Sequence, residues 1–112
     1  MKKIEAIIRH IKLDDVKAKL NEVGIQGITV LEAKGAGKQK GYTETWRGSK
    51  REIFLNPKLL LKIVVPDDMA TRVVEAIRES AHTGEIGDGK IFVSPVEDAI
   101  AIRTGASGDD AL

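Results

Sequence analysis

Residues 59–68 read Leu59-Leu60-Leu61-Lys62-Ile63-Val64-Val65-Pro66-Asp67-Asp68, and this stretch decides the fold of the 112-residue chain. The run from 59 to 65 is apolar except for Lys62, which predicts a strand. Pro66 suits the first turn of a helix, and Asp67 and Asp68 suit the positive N-terminal end of its dipole. The chain therefore passes directly from a strand into a helix.

The helix after Pro66 is predicted from a single apolar stripe, with Gly84 beyond its end. The stripe consists of Met69, Val73, Ile77 and Ala81. Residues 91–94 predict the strand that follows. After Pro95, two isoleucines alternate with other residues over 100–103, which predicts a short final strand. This half of the chain has the order β-α-β.

The N-terminal half repeats that order. Residues 2–9 and 27–34 predict strands, and between them a helix is predicted behind Asp14 and Asp15, with Gly24 as its stop. Its apolar residues are Leu13, Val16, Leu20 and Val23. Two βαβ halves predict an α+β fold of the ferredoxin-like βαββαβ type, with both helices on one face of an antiparallel sheet. Association of sheets around a threefold axis would cover the other face.

Composition and charge exclude several classes of protein. The formal net charge is +1, so no global field indicates nucleic acid or membrane as a partner. The chain has no cysteine and hence no disulfide framework. It has no apolar run long enough to span a bilayer, and the start Met-Lys-Lys-Ile-Glu lacks the core of a signal peptide. We expect one domain over residues 1–112, cytoplasmic, without membrane insertion and without nucleic acid as a partner.

Residues 36–56 separate the two halves and show no periodic pattern, and an insert of this length in a compact domain is typically functional. The insert holds five basic and two acidic side chains, a local net charge of +3. It also holds Tyr42 and Trp46, the only tyrosine and tryptophan of the chain. Aromatic residues on a loop predict a surface for a partner protein. The alternative is that Trp46 anchors the loop on the body of the domain.

Residues 83–91 read Thr83-Gly84-Glu85-Ile86-Gly87-Asp88-Gly89-Lys90-Ile91. The glycines allow backbone N–H groups to approach a phosphate closely, and Lys90 adds a mobile positive charge. The spacing nearly matches a P-loop, but Ile91 stands where Ser or Thr would hold magnesium, and a strand follows instead of a helix. The segment predicts an anion-binding loop at a strand entry rather than an NTPase site. A flexible glycine turn is the alternative.

Taken together, these segments resemble the PII nitrogen-regulatory signal-transduction proteins over nearly the whole chain. The matching positions follow in collinear order. They are Met1-Lys2-Lys3-Ile4-Glu5-Ala6-Ile7-Ile8, Lys12-Leu13-Asp14-Asp15-Val16, Lys34-Gly35, Gly37-Lys38-Gln39-Lys40-Gly41, Arg47-Gly48, Val64-Val65-Pro66-Asp67-Asp68, residues 83–93 and Ile102-Arg103-Thr104-Gly105.

The resemblance implies a homotrimer with three nucleotide sites in the clefts between subunits, where ATP and ADP compete. Each cleft is bordered by the T-loop, at about residues 37–55, and by the B-loop, at about residues 83–90. A C-terminal loop is implied at about residues 103–112. The nucleotide-binding residues that the resemblance implies are Thr29, Lys38, Val64, Gly87, Asp88, Gly89, Lys90 and Arg103.

In PII proteins 2-oxoglutarate joins MgATP at the same site. The positions that the resemblance implies for this effector are Gly37, Gln39, Lys40, Gly41, Lys58 and Gly87. Gln39 would help to coordinate the magnesium ion, and Lys58 would pair with the distal carboxylate of 2-oxoglutarate. The bound ligands would bias the conformations of the T-loop, which docks on a target. The implied mechanism is a switch rather than a reaction.

The resemblance also points to a partner. In relatives that regulate ammonium channels, an arginine matching Arg47 plugs the pore exit, so we predict Arg47 and its neighbour Trp46 as partner contacts. Other nitrogen or carbon transporters or enzymes fit the same basic loop. Ser49 matches a serine that is phosphorylated in cyanobacterial relatives and is a candidate modification site. Arg51 replaces the tyrosine that many bacterial relatives modify, so that covalent switch is absent here.

Two further positions depart from the family pattern. Ala101 replaces an arginine that helps to bind phosphates, and Lys62 stands where relatives usually carry an acid. In a strand, Ala101 and Arg103 would share one face. Lys62 either supplies the positive charge that Ala101 lacks, or it lays its apolar stem along a strand edge with the ammonium group in water.

Three other functions compete with this reading. A divergent PII-like paralogue would sense adenine nucleotides without 2-oxoglutarate; Arg51, Lys62 and Ala101 favour it, whereas Gln39 and Lys58 oppose it. RNA-recognition-motif domains share the βαββαβ order, but they stack bases on strand aromatics, and no aromatic lies in a predicted strand except Phe92. An enzyme is not expected, since no zinc motif and no nucleophile with its base can be recognised.

Overall fold

The computed structural model describes residues 1–37, 43–46, 49–52 and 55–112, and for 43–46 and 49–52 it describes the backbone alone. The elements are β1 (Lys2–Ile8), α1 (Leu13–Glu22), β2 (Thr29–Gly35), β3 (Thr43–Trp46), β4 (Ser49–Glu52), β5 (Asn56–Val65), α2 (Ala70–Ala81) and β6 (Lys90–Pro95). Single 3-10 turns lie at His10–Lys12, Asp67–Met69 and Gly108–Ala111.

Strands β2, β5, β1 and β6 form one sheet in that spatial order, and each neighbouring pair is antiparallel. In the centre of the sheet, Ile4 of β1 lies opposite Ile63 of β5 on one side and Val93 of β6 on the other. The chain order β1-α1-β2-β5-α2-β6 with this strand order is the ferredoxin-like fold. The predicted fold class is therefore confirmed.

The core lies on one face of the sheet, and buried residues therefore alternate with less buried ones along most of β1 and β5. Buried strand residues include Ile4, Ala6, Ile8, Leu61, Ile63 and Val65. The helices bury their own stripes against them, and these contain Val16 and Leu20 of α1 and Val73, Ala76, Ile77 and Ala81 of α2. Burying each large aliphatic side chain stabilises the fold by about 1.5–3 kcal/mol.

The opposite face of the sheet carries the residues that alternate with the core. Leu60 and Val64 of β5 lie there, as do Leu31 of β2 and Phe92 of β6, which are 42% and 53% exposed. Lys62 lies on the same face, in register with Thr29 of β2. We call this surface the open face; it is the one that the sequence predicts to be covered by association.

Strand β5 begins three residues before its predicted start and includes Pro57. At this end β5 pairs with β2 alone, because the pairing with β1 ends at Ile8 opposite Leu59. A proline is tolerated there because it has no ladder hydrogen bond to donate on that side. The extension places Lys58 inside the strand, next to the B-loop.

The insert contains a hairpin that the sequence did not predict. Strands β3 and β4 pair from Thr43 opposite Glu52 to Trp46 opposite Ser49. Threonine and tryptophan favour strands, but polar residues on both faces leave no apolar alternation, so the periodic pattern is missing. Of the T-loop, residues 38–42, 47–48 and 53–54 lie outside the described residues.

The predicted final strand over 100–103 is wrong. The chain turns there: the Ala101 N–H donates to Ala106 O, and the Gly105 N–H donates back to Ala101 O, both at 2.8 Å. Gly105 has φ +74°, which suits glycine and reverses the chain. Ile100 makes an isolated antiparallel bridge to Ser107, but Ile102 is fully exposed, so the two isoleucines do not belong to one strand. Ala101 and Arg103 therefore do not share the face of a strand.

Candidate functional site

The B-loop folds around its own carboxylate. Asp88 accepts hydrogen bonds from the Thr83 N–H at 2.8 Å, from the Gly84 N–H at 2.9 Å and from the Thr83 hydroxyl. The bonds from the Thr83 hydroxyl and N–H, then from Gly84 and Arg9, hold the pKa of the Asp88 carboxyl well below its usual range. Asp88 is therefore ionised at neutral pH, and its described hydrogen bonds join it to Arg9, Thr83 and Gly84.

Arg9 ties the B-loop to the end of β1. Its Nε atom donates to Asp88 Oδ1 at 3.2 Å, and its Nη2 atom donates to the Ile86 carbonyl at 2.9 Å. The sequence analysis did not identify Arg9 as part of the site. In the sequence, Arg9 stands out only as a basic residue directly after Ile7 and Ile8, and nothing in the sequence shows which residues it binds.

Lys58 ties the same loop to β5. Its side chain is 8% exposed, and its Nζ atom donates to the Gly87 carbonyl at 2.7 Å. Burial lowers the pKa of Lys58, the neighbouring Arg9 lowers it further, and Asp88 opposes the shift. The structure thus brings together Lys58 and Gly87, both of which the resemblance implies for 2-oxoglutarate.

Gly87 and Gly89 have φ +105° and +103°, a conformation that glycine adopts without strain. At Gly89 the space is also closed, because an added Cβ would lie 1.7 Å from the Ile7 carbonyl oxygen of β1. Gly89 is therefore required by the packing of the loop on the sheet, whatever the loop binds. From the sequence alone, a glycine needed for anion binding cannot be distinguished from one needed for packing against β1.

A cavity of about 360 Å³ adjoins the B-loop on the side of α2. Its floor is apolar, from Ile7, Ile8, Val74, Ile77, Ala81 and Ile91. Its polar groups are those of Arg78, His82, Asp88 and Lys90. Cationic side chains therefore border the loop on this side as well, with Lys90 at the start of β6.

Comparison with known proteins identifies the family. The family model described as Nitrogen regulatory protein P-II matches residues 1–106. Proteins of that name from Bradyrhizobium diazoefficiens and Rhizobium meliloti are each 59% identical over 112 residues, and one from Azospirillum brasilense is 57% identical, with the whole of both chains covered each time. The chain belongs to the PII family. It is thus a signalling regulator, and the expectation that it is not an enzyme is confirmed by this membership.

The nucleotide residues predicted for this PII protein fall into two groups in one chain. Gly87, Gly89 and Lys90 lie in or beside the B-loop, near Lys58. Thr29 and Val64 lie farther along the open face. Thr29 pairs with Lys62, which is four residues after Lys58 in β5. At about 3.3 Å per residue this is about 13 Å from Lys58. Lys90 lies opposite Ile7 of β1, which lies opposite Leu60, so Lys90 is two strands from β5 and about 13 Å along the strands from Val64. One subunit does not bring the two groups into contact.

Arg103 lies exposed in the C-terminal turn, and Gly37 lies exposed just beyond β2. Several predicted residues fall outside the described part of this PII chain: Lys38, Gln39, Lys40, Gly41 and Arg47. Trp46 and Ser49 are described only as the closing backbone pair of the β3–β4 hairpin.

Within residues 1–37, 43–46, 49–52 and 55–112, no helix has the length and apolar character needed to cross a membrane. The same ranges hold no cluster of three His, Cys, Asp or Glu side chains that could bind a metal ion.

Proposed function

We propose that this PII protein binds ATP and ADP competitively, binds 2-oxoglutarate together with MgATP, and regulates a cytoplasmic target through its T-loop. The main support for this proposal is the hydrogen bond from buried Lys58 to the Gly87 carbonyl, which places a cation beside a glycine-rich loop. Arg9 and Lys90 add positive charge around the same loop. Backbone donors and cations of this kind suit a polyphosphate.

The separation of the predicted residues supports a site shared between subunits. Thr29 and Val64 of one chain would face the B-loop of the next, since in one chain β1 separates the strand of Val64 from the strand that follows the B-loop, and Thr29 lies one strand farther away. The open face exposes Leu31 and Phe92, apolar surface that association would remove from water. We therefore propose a homotrimer with three clefts, to be checked by light scattering.

For 2-oxoglutarate, we propose that Lys58 exchanges the Gly87 carbonyl for the distal carboxylate of the effector. A carboxylate is a stronger acceptor for an ammonium group than a carbonyl, so the exchange is favourable if the carboxylate is desolvated with it. Gly37 and Gly87 would contribute backbone contacts, with Lys40 and Gly41 at the T-loop base. Gln39 would contribute a ligand to the magnesium ion. When bound, that ion would offset the negative charges of ATP and 2-oxoglutarate.

For the target, we propose an ammonium channel or another nitrogen or carbon transporter or enzyme that receives the tip of the hairpin. Trp46 and Ser49 close the β3–β4 pairing, so Arg47 and Gly48 connect the two strands. Arg47 is the proposed contact because the family resemblance implies it; Arg47 itself lies outside the described residues. Ser49 is the proposed modification site, where a phosphate would oppose the charge of Lys50 and Arg51.

A second candidate is a paralogue that senses adenine nucleotides without 2-oxoglutarate. The observation that favours it is Lys62, a cation on the open face in register with Thr29, where relatives usually carry an acid. Altered charge in the cleft would change ligand preference without removing nucleotide binding. Ala101 favours the same candidate, because the C-terminal turn has lost a cation.

Isothermal titration of the purified protein with ATP and ADP, each with magnesium and with or without 2-oxoglutarate, separates the two candidates. Binding of 2-oxoglutarate only beside MgATP is the expected result. Nucleotide binding without any 2-oxoglutarate response would favour the paralogue, and no nucleotide binding would contradict both.

The variant Lys58→Met tests whether the Lys58 ammonium group, which binds the Gly87 carbonyl, also binds 2-oxoglutarate. We expect this change to weaken 2-oxoglutarate binding by at least about tenfold, since a charge-assisted bond contributes about 1.5–3 kcal/mol. Lys17→Met is the matched control, because Lys17 lies exposed on α1, far along the chain from the B-loop. Equal 2-oxoglutarate affinity in the Lys58 variant and the control would contradict the assigned role of Lys58.

A further inference from the structure

Three consecutive B-loop residues are held by cations from the ends of two strands. Arg9, just after β1, binds the Ile86 carbonyl and the Asp88 carboxylate, and Lys58 of β5 binds the Gly87 carbonyl between them. The Arg9 and Asp88 side chains are 21% and 23% exposed, so their ion pair is partly shielded from solvent and salt. The loop is therefore fixed from outside as well as by its internal bonds to Asp88.

Holding a carbonyl also orients an N–H group. A peptide unit is planar and trans, so the N–H of one residue points opposite to the carbonyl of the residue before it. The bond from Arg9 to the Ile86 carbonyl therefore sets the direction of the Gly87 N–H. Lys58 holds the next peptide unit through the Gly87 carbonyl, so without Arg9 the unit before Gly87 would be less restricted, because glycine tolerates many backbone conformations.

We propose that Arg9 is a positioning residue of the nucleotide site: by holding the Ile86 carbonyl and the Asp88 carboxylate, it orients the Gly87 N–H for a nucleotide phosphate. This inference rests on the proposed function. Arg9 donates both of its described hydrogen bonds to the B-loop itself, so its contribution to the ligand is indirect. The planar guanidinium serves two acceptors at once, which a lysine ammonium at the same position does with poorer geometry.

Affinities for ATP and ADP of Arg9→Ala, Arg9→Lys and the control Arg72→Ala test the proposal. Arg72 is an exposed arginine of α2, so its removal changes the net charge equally without touching the loop. We expect Arg9→Ala to weaken both nucleotides about tenfold. The ATP-to-ADP ratio should stay unchanged, because the oriented loop serves both ligands. Arg9→Lys should fall between Arg9→Ala and the wild type, and Arg72→Ala should bind like the wild type.

An Arg9→Ala affinity within twofold of the wild type would overturn the proposal. An equal loss in Arg72→Ala would also overturn it, because net charge alone would then explain the result. A changed ATP-to-ADP ratio would show that Arg9 contacts the phosphates directly, which contradicts a positioning role. Thermal unfolding of each variant shows whether the fold is retained.

A measurement without nucleotide keeps this inference separate from the proposed function. Backbone NMR order parameters at residues 86–88 should fall in Arg9→Ala toward the flexible range, below about 0.6, while those of β1 and α2 stay unchanged. Unchanged values at 86–88 would overturn the positioning role. A wild-type protein that binds no nucleotide would instead refute the proposed function, even with the loop ordered as described.

Discussion

The B-loop and the C-terminal turn (residues 98–111) both contain glycines and both carry predicted phosphate contacts, yet they are held differently. The B-loop depends on Arg9 and Lys58, which lie 77–79 and 29 residues away in the chain. The C-terminal turn is closed by bonds among its own residues: the Gly108 N–H donates to the Ala99 carbonyl and to the Asp98 side-chain atom Oδ1, both at 3.0 Å. The B-loop combines local bonds to Asp88 with ties to residues at the ends of β1 and β5, whereas the described bonds of the C-terminal turn are local only.

The largest expected difference between the two segments is at their glycines. Gly89→Ala would place a Cβ 1.7 Å from the Ile7 carbonyl oxygen, so the loop or β1 must move. We expect a loss of at least about 3 kcal/mol in the free energy of unfolding. Gly105→Ala meets nothing within 4 Å and faces only the cost of a positive φ, about 1–2 kcal/mol. Urea denaturation of both variants gives the two values.

Equal losses of unfolding free energy in the two glycine variants would contradict this difference, since the B-loop would then depend on the sheet no more than the C-terminal turn does. A Gly89→Ala protein that is fully stable would contradict the close approach to β1. A Gly105→Ala loss above that of Gly89→Ala would reverse the assignment of the two segments.

A smaller difference is expected in acid. The Thr83 hydroxyl and the other donors depress the folded-state pKa of Asp88, so its contribution to stability is complete above the unfolded carboxyl pKa of about 3.9 and is lost as the pH falls toward the lower folded value. We expect Asp88→Asn to lower the Tm by several degrees at about pH 6, with a shrinking difference below about pH 4. Differential scanning calorimetry across this range measures it.

The control for the acid experiment is Asp110→Asn, an exposed acid of the 3-10 turn Gly108–Ala111. It should leave the Tm close to that of the wild type at each pH. A difference between Asp88→Asn and the wild type that does not vary with pH would contradict the role of the ionised Asp88 carboxylate.

The smallest expected effect concerns Lys62 and the cation that Ala101 lacks. If Lys62 supplies positive charge to the cleft, Lys62→Ala should weaken ATP several-fold, because a partly shielded charge contributes about 1 kcal/mol. Ala101→Arg should strengthen ATP binding by a similar factor. Titration calorimetry of the two variants and of the control Lys17→Ala measures both changes. Unchanged ATP affinity in Lys62→Ala would show that Lys62 supplies no charge to ATP binding. Its apolar stem would then simply lie along the open face.

The sequence predicted the sheet and helices because their patterns are regular. The apolar run of β5 and the apolar stripe of α2 each indicate burial directly, and the observed ends of these elements lie within three residues of the predicted ones. The final strand failed because period-two alternation over four residues does not distinguish a strand from a turn. The hairpin β3–β4 was missed because its strands carry polar residues on both faces.

The candidate site was predictable in part. Glycines and Lys90 indicated an anion loop from the residues alone, and the family resemblance added Lys58. Arg9 was not predictable, because its hydrogen bonds reach 77–79 residues along the chain and depend on how β1 ends beside the B-loop. The packing reason for Gly89 likewise became visible only with the Ile7 carbonyl beside it.

The central claim is that the B-loop, held by Arg9 and Lys58, binds the nucleotide. The most direct test is a titration of the isotope-labelled protein with MgATP, followed through the backbone amide resonances. We expect saturable shifts at Gly87, Gly89 and Lys90, whereas the resonance of Gly24, after α1, should not move. Saturable ATP binding without any shift in the B-loop would contradict it.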